Sequence, residues 1–128
     1  MVLVDSSVWI DYLGHRPSKV EQRLEALLRP SNSAVITGII FQEVLQGIKG
    51  ERSFQLTHEL LRKLPFLVPS LESHLRAARI SHSLILKGRS PSSIDTLIAA
   101  LAIENKIPLF TLDKGFSMIE AHTELELF

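Results

Sequence analysis

Two apolar runs that each lead into an aspartate restrict the folds open to this chain more than any other feature. Val2-Leu3-Val4 runs into Asp5, and Leu109-Phe110-Thr111-Leu112 runs into Asp113. A run that is apolar throughout suits a strand covered on both faces, so such strands call for helices above and below them. The sequence between them supplies helical signals. Ser6 or Ser7 can cap a first helix whose Val8, Trp9, Tyr12 and Leu13 recur at helical spacing before Gly14 stops it. After Pro17, Ser18-Lys19-Val20-Glu21 reads as a capping box leading into Leu24, Leu27 and Leu28. Ala34-Val35-Ile36 predicts a second strand, and Thr37 the cap of a helix from Gly38 to Ile48, ended by Gly47 or Gly50.

Further helices are predicted over 51–64 and 71–86, with a short strand between Pro65 and Pro69. Lys87-Gly88-Arg89-Ser90-Pro91 reads as a loop by its glycine, proline and charge. Ser92 then opens an alanine-rich helix through Ile94, Leu97, Ile98, Leu101 and Ala102, ending near Lys106. A strand over 109–112, a turn over 113–116 and an alternating edge strand, Thr123-Glu124-Leu125-Glu126-Leu127, complete the chain. Strands alternating with helical stretches predict an α/β fold: one three-layer α/β/α domain over residues 1–128, around a mainly parallel sheet of four to five strands.

Composition narrows the function. Lysine plus arginine equals aspartate plus glutamate at 14 each, so no general basic coat exists to hold a polyanion, and a local patch or a metal must do so. Without cysteine there is no disulfide, thiolate zinc site or thiol nucleophile. An aspartate at position 5 interrupts any signal-peptide apolar region, and Leu97 to Ile103 is too short to span a bilayer. The expectation is a cytoplasmic protein with no membrane association.

The acids carry the chemistry. Asp5 and Asp113 follow predicted strands, the end of a parallel sheet where ligands bind. Asp95 fits a capping box with Ser92, yet shares a helical face with Ile98, Ala99 and Ala102, a buried stripe. Glu43 is placed among Ile39, Ile40, Val44 and Gly47, again on an apolar face. Four acids beside apolar surface would repel one another strongly if they met without a cation. Oxygen donors with no sulfur and scattered histidine favour Mg²⁺ or Mn²⁺ over zinc. Such a metal serves phosphodiester hydrolysis, with Lys49, Arg52, Lys87, Arg89 and Lys114 placed to hold a phosphate backbone. His15, His58, His74, His82 and His122 show no paired spacing and read as surface or packing residues; Trp9, Tyr12 and Phe41 read as core. Phosphate-binding glycine loops and a Gly-x-Ser-x-Gly elbow are absent from the sequence.

Met1 to Ile10, Glu43-Val-Leu-Gln-Gly47, Ser92-Ser-Ile-Asp95-Thr-Leu-Ile-Ala-Ala and Thr111-Leu-Asp113-Lys-Gly-Phe116 together resemble the PIN-domain family, and within it the VapC-type toxin ribonucleases. The resemblance covers essentially the whole chain. It implies a PIN-like α/β/α fold, Mg²⁺- or Mn²⁺-dependent cleavage of RNA, a homodimer, and a small DNA-binding antitoxin as partner. It also implies that Asp5, Glu43, Asp95 and Asp113 form the family's acidic quartet, with Ser6 and Thr111 as its supporting hydroxyls. Gly115 stands where many relatives place a further acid, so a second firmly held metal is not implied. Two rival readings remain open at this level. One is a degenerate PIN domain that binds RNA or a protein without cutting. The other is an aspartate-based phosphatase, disfavoured because Ser7 stands where the haloacid-dehalogenase pattern wants a second aspartate.

Overall fold

The computed structural model describes residues 1–14, 17–30 and 33–128. The expectation for His15 lies outside the described residues. Strand β1 (Val2–Val4) leads into helices α1 (Ser6–Leu13) and α2 (Lys19–Leu27). Strand β2 (Ala34–Thr37) is followed by α3 (Gly38–Gln46) and α4 (Glu51–Leu61). Then come β3 (Phe66–Leu67), α5 (Leu71–Leu86), α6 (Ser93–Asn105), β4 (Leu109–Phe110) and α7 (Phe116–His122). The strands form one parallel sheet in the order β3-β2-β1-β4.

That order places the site. The chain moves outward in one direction, β1 to β2 to β3, then crosses back through α5 and α6 to add β4 on the far side of β1. Right-handed parallel connections therefore put α1 to α4 on one face and the returning helices on the other. Helix contacts follow this division: α1 packs on α2 and α3, and α3 on α4, while α5, α6 and α7 pack together. The direction of winding reverses between β1 and β4, a switch point of the kind beyond whose strand ends ligands bind in open α/β sheets. Asp5 stands there, its N–H donating to the Phe110 carbonyl at 2.9 Å as the last rung of the ladder.

All residues of β1, β2 and β4 are buried, as a sheet covered on both faces requires. Trp9, fully buried, turns its indole N–H to the Val4 carbonyl at 3.3 Å, while Tyr12 and Phe41 pack partly buried against the core. Ser18 and Ser92 cap α2 and α6 as predicted, accepting the Glu21 and Asp95 amides. Among the described residues no helix is long and apolar enough to cross a membrane.

Several local expectations are corrected. Neither Ser6 nor Ser7 caps α1; Asp5 occupies the cap position without using its side chain for the purpose. Thr37 occupies the cap of α3, but its hydroxyl donates instead to the Leu67 carbonyl at 2.7 Å and ties β3 to the sheet. Helix α4 ends at Leu61, three residues early, because the residue before Pro65 is barred from helical backbone and the chain tightens through Lys63 and Leu64. The predicted final edge strand is reduced to a parallel bridge between Leu109 and Leu127. It is bracketed by Leu109 N–H to the Glu126 carbonyl at 2.9 Å and Phe128 N–H to the Leu109 carbonyl at 2.8 Å.

Candidate active site

Asp5 has helix-cap backbone and only 5% exposure, and its carbonyl already accepts the Val8 and Trp9 amides. Its carboxylate is left for other partners. Ser7 Oγ donates to Oδ2 at 2.7 Å and Thr111 Oγ1 to the same oxygen at 2.8 Å. Thr111 follows β4, so these bonds stitch the ends of two neighbouring strands together. Asp113, two residues on, is exposed, and its Oδ1 accepts the Gly115 N–H at 2.8 Å.

Helix α6 brings Asp95 from the opposite layer. Ser92 sets the first turn, and residues Ile98, Ala99, Ala100, Leu101 and Ala102, buried all round the helix, seat it closely among its neighbours. Small side chains permit that approach. Gly115 lies between two of the acids: a Cβ there would sit 3.2 Å from Asp113 Oδ1 and 3.3 Å from Asp95 Oδ2. The backbone at Gly115 is ordinary right-handed, so the glycine matters for space and not for conformation.

Electrostatics link all four predicted acids. The Asp95 carboxyl is held above its ordinary range by burial first, then by the negative charge of Asp113, with a smaller contribution from Asp5; the Ser92 hydrogen bond opposes these. Glu43, on α3, is likewise raised by burial, then by Asp5 and Asp95. A charge perturbs another this way only at short range in a poorly screened place. Asp5, Glu43, Asp95 and Asp113 are thus brought together at the switch point from four separate stretches of sequence.

Among the described residues, no three acidic or imidazole side chains close on one point at coordinating distance. Carboxylates that repel one another hold apart unless a positive charge enters between them. The donor set is all oxygen, two of its members resist ionisation, and no lysine or arginine among the described residues forms an ion pair with any of them. Among the described residues the ion pair is Arg76 with Glu104, far along α5 and α6. By donor chemistry these residues could hold a hard divalent cation if they drew together around it.

Of the predicted basic residues, all five are exposed. Lys114 sits in the turn between Asp113 and Gly115, and Lys87 and Arg89 precede the α6 cap. Lys49 and Arg52 lie beyond the C-terminal end of α3, which stops at Gln46. The predicted hydroxyl Ser6 has no hydrogen bond to the acids. Its neighbour Ser7 does, and sequence reasoning assigned that residue only a capping role. The available signal was position: a side chain in the first helical turn leans back toward the N-terminus, onto the residue that ends the strand. His58 packs edge-on against Phe41, and His122 bonds the Met118 carbonyl, both away from the acids.

A parallel α/β/α sandwich with acids collected where its winding reverses defines a PIN-type domain. The model of the family described as PIN domain matches residues 2–121, and the chain belongs to that family. Ribonuclease VapC11 of Mycobacterium tuberculosis is 29% identical over 129 aligned residues, covering 98% of this chain and 96% of the relative. VapC ribonuclease Mb1587 of Mycobacterium bovis shows the same identity and coverage. Among solved structures, FitAcB from Neisseria gonorrhoeae shares the fold with a TM-score of 0.81 at 21% identity, covering 100% of this chain and 96% of its own. DNA-bound VapBC from Salmonella typhimurium does so at 0.82 and 17%, covering 99% and 96%.

Proposed function

We propose that this chain is a metal-dependent endoribonuclease, the toxin of a toxin–antitoxin pair acting in the cytoplasm. The observation that carries this reading is the gathering of acids from separate stretches of sequence at the sheet's switch point: Asp113 and Asp95 flank Gly115, and the charges of Asp5 and Asp95 raise Glu43. The VapC ribonuclease names of the full-length relatives support the activity. The toxin–antitoxin complexes among the similar structures support a small DNA-binding antitoxin as partner. A homodimer is part of the same proposal.

Asp5, Glu43, Asp95 and Asp113 would hold Mg²⁺ or Mn²⁺. When bound, the ion supplies charge to shield the phosphodiester and to lower the pKa of the attacking water. The chain's own groups do the rest. Ser7 and Thr111 orient Asp5. Glu43 and Asp95, lifted above the ordinary carboxylate range, are the acids best suited to take a proton from water near neutral pH. Lys114, next to Asp113, and Lys87 and Arg89, in the loop before α6, would bind backbone phosphates, with Lys49 and Arg52 as further exposed candidates.

Purified protein is expected to cut RNA with Mg²⁺ or Mn²⁺ and to stop in chelator. Asp5→Asn and Asp95→Asn should each lose at least about 100-fold in rate, beyond the 10–100-fold cost of losing an outer partner. Full activity in either variant would sink the mechanism.

A further inference from the structure

The Ser7 hydroxyl is used twice. It donates to Asp5 Oδ2 at 2.7 Å and accepts the Leu112 N–H at 3.0 Å, across 105 residues of sequence. Thr111 repeats the pattern from the other strand, donating to the same Oδ2 at 2.8 Å and accepting the Asp113 N–H at 3.0 Å. A hydroxyl has one hydrogen and two lone pairs, so each of these side chains has its hydrogen committed to Asp5 and a lone pair committed to the loop that carries Asp113. Together they bridge one carboxylate to the backbone that holds another.

The bridge has a directional consequence for Asp5. Oδ2 accepts two charge-assisted bonds, while Oδ1 accepts none among the described residues. No buried polar side-chain atom among those residues lacks a partner, so Oδ1 opens to water. Asp113 is arranged alike, with Oδ1 tied to the Gly115 amide. Thr111 fixes Asp5 to the loop but does not reach the helix that follows Asp5. Ser7 belongs to α1 and, among the described residues, ties the loop backbone to the helix that follows Asp5.

The geometry points to Ser7 as a positioning residue: it makes Asp5 present a single oxygen, Oδ1, to a divalent cation, and it locks the Leu112–Asp113 backbone to the start of α1. The cation half of this inference rests on the metal-dependent reading above; the locking half does not. Losing Ser7 frees the Leu112 amide and removes one of the two bonds that set the Asp5 carboxylate plane. Outer partners of this kind orient metal ligands, and their loss weakens binding without unfolding the protein.

Full-length Ser7→Ala and Ser7→Thr can be compared with wild type by titrating Mn²⁺ under electron paramagnetic resonance without RNA, and by amide exchange of the metal-free proteins. Alanine is well accepted in the first turn of a helix, so folding should survive. Ser7→Ala should bind Mn²⁺ about 10-fold more weakly and exchange faster at Leu112 and Asp113 than elsewhere, and Ser7→Thr should recover both. In RNA cleavage kcat should fall while KM holds. Wild-type Mn²⁺ affinity together with wild-type Leu112 exchange in Ser7→Ala would overturn the inference, as would faster exchange spread evenly over the chain. Weaker Mn²⁺ binding in a protein family of variants that never cuts RNA would uphold it and remove the ribonuclease reading instead. Cleavage by Ser7→Ala at the wild-type rate with unchanged Mn²⁺ affinity would do the reverse.

Discussion

At the scale of single residues, the site stores unfavourable charge. Asp95 and Glu43 bind protons more tightly in the folded chain than in the unfolded one, since burial and their anionic neighbours oppose ionisation. The sign follows from proton linkage: stability from these groups is fully present below the ordinary carboxylate range, about pH 4, and is lost as pH rises through their raised folded values. The metal-free protein should therefore gain stability on mild acidification above pH 4. Asp95→Asn removes one of the charges. Its metal-free melting temperature at pH 7.5 is expected to exceed wild type by a few degrees, with the gap closing as pH falls toward 4; thermal melts in chelator across that range check this. A lower melting point for Asp95→Asn at every pH would mean that the carboxylate is stabilised by its surroundings. On the proposed metal site, adding Mn²⁺ should reverse the order, because only wild type would offer the ion all four carboxylates.

At the scale of elements, what was legible in the sequence was what is local. Ser18 and Ser92 announce α2 and α6 because capping is decided within a turn of chain, and the buried runs of β1, β2 and β4 show as unbroken apolar stretches. The acids at strand ends and on apolar helix faces were legible for the same reason. Features settled by long-range partners were not. The Thr37 hydroxyl leaves its own helix for Leu67, Ser7 reaches Leu112, and the tail 123–128 covers the edge of β4 with one bridge where the alternation predicted a strand. That tail is held by an unexpected contact: the Arg23 guanidinium of α2 lies 4.7 Å from the Phe110 ring centre and 4.5 Å from that of Phe128. Each exposed contact of this type contributes about 0.5–1 kcal/mol. Arg23→Ala should lower the melting point by a few degrees and speed amide exchange at Phe128, whereas Arg23→Lys should restore part of both. Helix α6 offers a second test. Ala99 is fully buried one helical turn beyond Asp95, and forcing a larger side chain into a packed layer costs about 1–3 kcal/mol. Ala99→Leu should lose that stability in urea titration and displace Asp95, so that Mn²⁺ affinity falls more than the fold does.

For the whole molecule, the balance of 14 basic and 14 acidic residues sets how RNA can be held. A uniformly basic protein draws polyanions from a distance and loses them steeply as salt rises. This one has no net field to do so, and its acids at the switch point repel phosphate until a cation changes the local sign. On the proposed reading RNA is held by exposed cations, of which Lys49, Arg52, Lys87, Arg89 and Lys114 are the candidates. For a single strand the slope of log affinity against log salt is about −0.7 per neutralised phosphate, so these five give a slope of about −3.5 at most. Lys114→Ala, which removes the cation between Asp113 and Gly115, should make the slope shallower by about 0.7 and weaken all RNA sequences alike. The check is fluorescence anisotropy with a catalytically silent Asp5→Asn protein in Mg²⁺ over a range of KCl. A slope near −10 would require many more phosphate contacts than this face provides, and would place RNA on a different surface or across an assembly of chains. A slope unchanged by Lys114→Ala would remove that residue from the path of the backbone while leaving the acids' role untouched.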